Sequence, residues 1–133
     1  MNTSALCALI LAALSVTNAW AEDIVVIVNP AAAPISKEQI ADLYLGRNNG
    51  WLPVDQVAGS GIHVEFYKKL TGRDSAQIKA IWSQILFTGR GVPPKQLHDS
   101  AAVKKAVAAN PKAVGYIEKS AVDASVRIAL VLD

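Results

Sequence analysis

Two kinds of hydrophobic pattern alternate along this chain: short unbroken apolar runs, and longer stretches spaced as on one face of a helix. "DIVVIVN" (23–29) is an unbroken run rich in β-branched residues and predicts a strand buried on both faces. "AVGYI" (113–117) and "VRIALVL" (126–132) predict two more strands. "LPVDQVA" (52–58) predicts a short one, with Pro53 at its beginning or on an edge, because proline cannot donate to a ladder.

Four stretches carry helical spacing. Ser36 and Gln39 make a capping-box pattern, Ile35 and Ile40 take the staple positions, and Ile40, Leu43 and Tyr44 share a face that ends at Gly46. A second helix over roughly 61–70 turns Ile62, Phe66 and Leu70 inward and stops at Gly72. Asp74 and Gln77 open a third, whose apolar positions are Ile78, Ile81, Trp82, Ile85 and Leu86. "TGRGVPPK" (88–95) cannot continue that helix, since it holds two glycines and two prolines, and it predicts a loop. The fourth helix, capped by Asp99 or Ser100, runs through Ala109 with Val103, Ala106 and Val107 inward, and Asn110-Pro111 closes it. The order predicts one α/β layer structure, a small and mostly buried β-sheet flanked by about four helices. Trp51, Phe66, Trp82, Phe87 and Tyr116 read as core or half-buried packing, with Trp51 the most exposed, at an edge.

The first 21 residues stand apart. "MNTSALCALILAALSVTNAWA" has no charged side chain, an apolar centre from Ala5 to Val16, and an A-x-A ending at Ala19-Trp20-Ala21. These features predict a cleaved secretory signal peptide over 1–21 and a single domain over 22–133. The apolar run is short for a membrane span, so the mature chain is expected not to insert. Cys7, the chain's one cysteine, would leave with the leader, so no disulfide or thiol chemistry is expected. Export without an anchor places the protein in the periplasm or outside a bacterial cell. The charged side chains, 13 Lys and Arg against 11 Asp and Glu, give a net +2, which is no nucleic-acid footprint. Lys68-Lys69 and Lys104-Lys105 read as solvated helix faces.

Catalytic signatures are missing. A nucleophilic enzyme needs a nucleophile beside a base, and the two histidines, His63 and His98, lie in no local catalytic motif. Zinc would require ligands at set spacings, which two distant histidines do not provide, so no metal or other cofactor is expected. There is no Walker A loop and no G-x-G-x-x-G. The expectation is therefore a protein that is not an enzyme.

Gly59-Ser60-Gly61 is the stretch with binding chemistry. The glycines let a ligand approach the backbone, Ser60 offers a hydroxyl and an N-cap, and the first N–H groups, Gly61 to His63, have no partner inside the helix. A helix start of this kind holds an oxyanion. The same stretch is equally read as a capped helix after a turn, with water on those N–H groups. Arg90, between Gly89 and Gly91, can reach an anion or a partner, or be a solvated loop tip, while Pro93-Pro94 sets the chain direction.

Three ordered stretches carry a family likeness: "ISKEQIADLYLGRNNGWLPVDQ" (35–56), "FYKKLTGRDSAQIKAIWSQILFTGRGVPPK" (66–95) and "NPKAVGYIEK" (110–119). With them the chain resembles the short, exported relatives of phosphate ABC transporter substrate-binding proteins, within the periplasmic-binding-protein-like group. The resemblance implies a single lobe of that fold and a phosphate-type oxyanion held by a Ser-Gly-Thr helix start, with an arginine a few residues before it. Carried over by position, Ser falls on Ser60 and Gly on Gly61, the Thr position holds Ile62, and the Arg position holds Gln56. The implied ligand set is Gln56, Ser60, Gly61, Ile62 and His63, with His63 adding positive charge if protonated. The implied partners are an ABC transporter or another envelope protein, or a second copy of the chain to complete the cleft. The alternative is a non-catalytic envelope adaptor or sensor that kept the lobe and lost the ligand, using Arg90 and Pro93-Pro94.

Overall fold

A computed structural model of the protein describes residues 22–133. The expected leader, with Cys7, lies outside the described residues. Five strands form one mixed sheet in the order β3-β2-β4-β1-β5. In chain order they are β1 (Ile24–Val28), β2 (Leu52–Gln56), β3 (Lys95–Leu97), β4 (Ala113–Glu118) and β5 (Arg127–Leu132). The helices are α1 (Lys37–Tyr44), α2 (Gly61–Thr71), α3 (Ser75–Phe87) and α4 (Ser100–Ala108), with a 3₁₀ turn over Lys119–Ala121.

Strand β1 lies between β4 and β5, antiparallel to both, and all five of its residues are buried. Its alternation was hidden in the sequence because both faces are covered. Ile24, Val26 and Val28 pack with α1 and α2 residues such as Tyr44, Phe66 and Leu70. Val25 and Ile27 pack on the other face with Val103 and Val107 of α4. Each fully buried aliphatic side chain contributes roughly 1.5–3 kcal/mol.

The helix ends follow local chemistry. Ser36 and Gln39 close their capping box with bonds of 3.1 and 2.8 Å, and Asp74 and Gln77 close theirs at 2.9 Å each. For α4 the cap is Asp99, whose carboxylate accepts from Ala102 N at 2.8 Å. At the other end of α4, Asn29 donates to the carbonyls of Val107 and Ala108. Gly46 follows α1 at φ 77°, and a Cβ there would lie 2.3 Å from Ile85 Cδ1, so only glycine lets α1 end against α3.

Three expectations fail. Strand β3, at the end of the predicted loop, pairs parallel with β2, an element too short to leave a pattern. Strand β2 stops at Gln56, and Val57 is exposed. Helix α3, expected to carry the clearest apolar spacing, buries only Ile78 and Ile85 fully, while Leu86 is 51% and Phe87 91% exposed. It packs on α1 and α2, where Trp82 donates to Tyr44 O at 3.1 Å, so its last turn runs past the core. Trp51 is half-buried at the same edge, with the Lys112 ammonium 5.9 Å from its ring centre.

Gly115 sits in β4 directly beneath α4. A Cβ there would meet Val103 Cγ1 at 2.5 Å and both Val107 Cγ2 and Val54 Cγ2 at 3.1 Å. Gly115→Ala is therefore expected to destabilise the fold by about 1–3 kcal/mol through overpacking. Urea unfolding followed by circular dichroism measures it, and an unchanged midpoint would contradict the tight α4–β4 contact.

Candidate functional site

Strands β2 and β3 are parallel neighbours, paired Val54 to Lys95, Asp55 to Gln96 and Gln56 to Leu97. After β2 the chain passes to α2 on one face of the sheet, and after β3 it passes to α4 on the other. Adjacent parallel strands whose connections leave in opposite directions open a crevice at their C-terminal ends, the usual ligand position in open α/β sheets. Residues 57–61 and 98–100 are the segments that follow β2 and β3 at that end of the sheet.

The two helix starts that meet there differ. At the start of α4 the charged Asp99 carboxylate accepts from Ala102 N, and the N–H groups of Ser100 and Ala101 have no acceptor among the described residues. Beside it, Gln56 Nε2 donates to Ser100 Oγ at 3.0 Å and to Tyr116 O at 2.9 Å, and the Ser100 hydroxyl donates to Glu118. The start of α2 is open. Ser60 caps it weakly, its Oγ accepting from His63 N at 3.4 Å, and Val64 N closes the first helical bond on Ser60 O. Among the described residues, the N–H groups of Gly61 and Ile62 and the hydroxyl hydrogen of Ser60 have no acceptor. Gly59 and Gly61 are exposed and Ser60 is half-buried, while Ile62 is buried.

A buried polar cluster lies beneath this start. The Asp55 carboxylate accepts from Tyr67 OH at 2.6 Å, from Tyr116 OH, and from Gln56 N at 2.8 Å. Phe66 stacks on Tyr116 with ring centres 3.6 Å apart, and Tyr44 meets both edge-on. Burial pushes the Asp55 carboxyl above its ordinary range, against the lowering pull of the two tyrosine hydroxyls. Burial and the neighbouring Asp55 push Tyr67 and Tyr116 far up, so both hydroxyls stay protonated as donors.

The five residues implied by the resemblance fall into two groups. Ser60, Gly61 and the Ile62 backbone are at the open helix start, whereas Gln56 and His63 are buried behind it. Both amide hydrogens of Gln56 are engaged inside the protein, so it has none for a ligand. The Ile62 side chain turns into the core and supplies only its backbone N–H. His63 Nδ1 accepts from Gly59 N at 3.4 Å, and its Nε2 lies 3.9 Å from Asp55 Oδ2. Burial lowers its pKa, with Asp55 pulling the other way, so the ring favours the neutral form. A protonated His63, which would add positive charge, is thus disfavoured by its burial. His98 is exposed beside Asp99.

Sequence reasoning passed over Asp55 and Tyr67. Asp55 lay inside a predicted strand, where a lone acid gives no signal of burial, and its two tyrosines are distant in sequence. Two cavities open elsewhere, towards the C-terminal end of α2, and none of residues 56–63 lines either. Among the described residues there is no cluster of His, Cys, Asp and Glu that could hold a metal ion, and no helix long and apolar enough to cross a membrane.

No family model matches the chain, and no curated protein matches it in sequence. Solved structures do. The crystal structure of an ABC-type phosphate transport receptor from Vibrio cholerae superposes with a TM-score of 0.59 at 20% identity, over 80% of this chain and 45% of that one. A putative phosphate ABC transporter substrate-binding protein with bound phosphate from Clostridium perfringens superposes with a TM-score of 0.62 at 24% identity, over 80% of this chain and 44% of that one. The chain thus spans less than half the length of these proteins. It has the periplasmic-binding-protein-like α/β fold of phosphate transport receptors, as a single lobe.

The Asp55 cluster makes a signed prediction. A carboxyl raised by folding is bound to its proton more tightly in the native state. Its stabilising contribution is fully present below the unfolded value near 3.8 and is lost as pH rises through the raised native value. The stability of the wild type relative to Asp55→Asn is expected to fall between about pH 3.5 and neutrality. Urea titrations of both proteins across that range check it, and a difference that grows with pH would refute the assignment. Asp55→Ala orphans two buried hydroxyls and is expected to cost about 2–4 kcal/mol in the same measurement.

Proposed function

We propose that this chain is a periplasmic substrate-binding-like module, exported through a leader cleaved after residue 21, that holds a phosphate-type oxyanion at the start of α2. The observation that carries the reading is the pair of N–H groups of Gly61 and Ile62, without an acceptor at the start of α2 beside the Ser60 hydroxyl, with Gly61 exposed. Helix α2 adds the positive end of its dipole. Gln56 and His63 take positioning roles: they fix the end of β2 and the turn at Gly59, and so aim the donors without touching the ligand. The two similar structures are a phosphate transport receptor and a binding protein holding phosphate, which favours the same ligand class, a link to ABC-type transport and a binding rather than catalytic role here. One lobe surrounds an anion on one side, so the reading includes a covering partner: a second copy, the transporter or another envelope protein.

The second reading, an envelope adaptor or sensor without a ligand, is favoured by the exposed apolar residues Leu86, Phe87 and Val92.

Calorimetric titration with phosphate and sulfate separates the two. Proline is tolerated at the first position of a helix, and Ser60 already has the extended backbone that precedes proline, φ −68° and ψ 157°. Gly61→Pro therefore removes one donor while α2 persists. Saturable phosphate binding is expected, weakened about tenfold or more by Gly61→Pro, on the scale of a hydrogen bond to a charged group, and weakened also by Ser60→Ala. No heat at millimolar anion, with an envelope protein co-purifying, would support the adaptor instead.

A further inference from the structure

The opposite end of α2 carries a different arrangement. Arg47 follows the end of α1, Arg73 follows the end of α2, and Arg90 follows the end of α3. All three line one cavity of about 300 Å³, with Gly46, Gln84 and Ile85 among the other walls and no acidic residue among them. It runs into a groove of about 710 Å³ that shares Arg47 and Arg90 and adds Trp51, Trp82 and Lys95, again without an acidic residue.

A bland account exists: cations belong at helix C-termini. Three helix ends offset about half a charge each, roughly half of the three guanidinium charges. Among the described residues, the one carboxylate within ion-pair distance of them is Asp42, 3.9 Å from Arg47 and outside the cavity wall. Arg90 Nε donates to Thr88 Oγ1 at 3.1 Å, which leaves the outer edge of its fork unused. Among the described residues, Arg73 makes no ion pair, and the nearby Asp74 is occupied as the cap of α3. Helix ends alone do not explain why three separate helices deliver arginines to one concave space.

We propose that this cavity binds a small multivalent anion, one carrying two or three carboxylate or phosphate groups. Each planar guanidinium can take one such group through paired donors, a match that a single surface arginine does not provide. The volume is at the lower end of small-ligand sites, about 300–1,000 Å³, and excludes a folded partner from the cavity itself. The site is independent of the one at Ser60, since α2 separates them by about 16 Å along its axis.

The test titrates the full chain with citrate and with inorganic pyrophosphate, followed by calorimetry and by amide shifts of residues 46–47, 73 and 90. Saturable binding is expected, weakened about tenfold or more by Arg73→Gln or by Arg90→Gln and unchanged by Gly61→Pro. These arginines are at the surface, and circular dichroism verifies that the variants fold. Absence of saturable shifts at those amides at millimolar citrate and pyrophosphate would overturn the proposal, as would shifts there that survive the Arg73→Gln/Arg90→Gln double variant. So would binding of a hexaglutamate peptide alone, which would assign the arginines to a partner's acidic segment.

Discussion

The Asp55 carboxylate is the point on which this structure turns. It collects a hydroxyl from α2, a hydroxyl from β4 and the backbone N–H of Gln56, and so ties three elements at the end of β2. In a low-dielectric interior such bonds are stronger than in water, and leaving one unmade is correspondingly costly. The aromatic rings of Tyr44, Phe66, Tyr67 and Tyr116 keep water out of the cluster. Tyr67 belongs to the helix whose start is open, so the same bond that satisfies the buried acid also fixes where the bare N–H groups point.

The two neighbouring helix starts differ in the charge of their caps. At α4 the Asp99 carboxylate is already the anion, and Gln56, Ser100 and Glu118 form a closed chain of donors and acceptors beside it. At α2 the cap is a neutral serine with a long bond, and His63 is held neutral by burial. The attraction at α2 therefore comes from backbone donors and the helix dipole rather than from side-chain charge. Beyond the other end of the same helix, Arg73 lines a cavity with Arg47 and Arg90 whose walls hold no acidic residue.

Much of the fold was legible in the sequence because its signals were local. The capping residues at Ser36, Asp74 and Asp99, the buried run at 24–28 and the glycine stops all depend on near neighbours. Two features were not legible. Strand β3 is three residues long and is a strand only because β2 lies beside it. Helix α3 carries an apolar stripe longer than the surface it covers, and periodicity reports a stripe without reporting what meets it. At the site, Gly59-Ser60-Gly61 was visible as a helix start, yet the inward turn of Gln56 and His63 was not. Both side chains answer to Asp55 and Tyr116, and those contacts exist only after folding.

The openness of the α2 start has a consequence for how strongly any anion is held. Two unit charges 4 Å apart interact by about 1 kcal/mol at the dielectric of water and by about 4 kcal/mol at an effective value of 20. A body that covers the crevice therefore strengthens every donor already present, even if it brings no charge of its own. The rim suits such a cover, for Val57 is exposed immediately before the Gly59-Ser60-Gly61 turn and Ala58 lies beside it. Contact at Val57 and Ala58 would bury their apolar surface and remove water from the donors beside them, while the exposed His98 and Asp99 follow β3, the strand paired with β2. On the proposed reading, affinity at this site would be a property of the covered assembly, with the isolated lobe providing the geometry on which the cover acts.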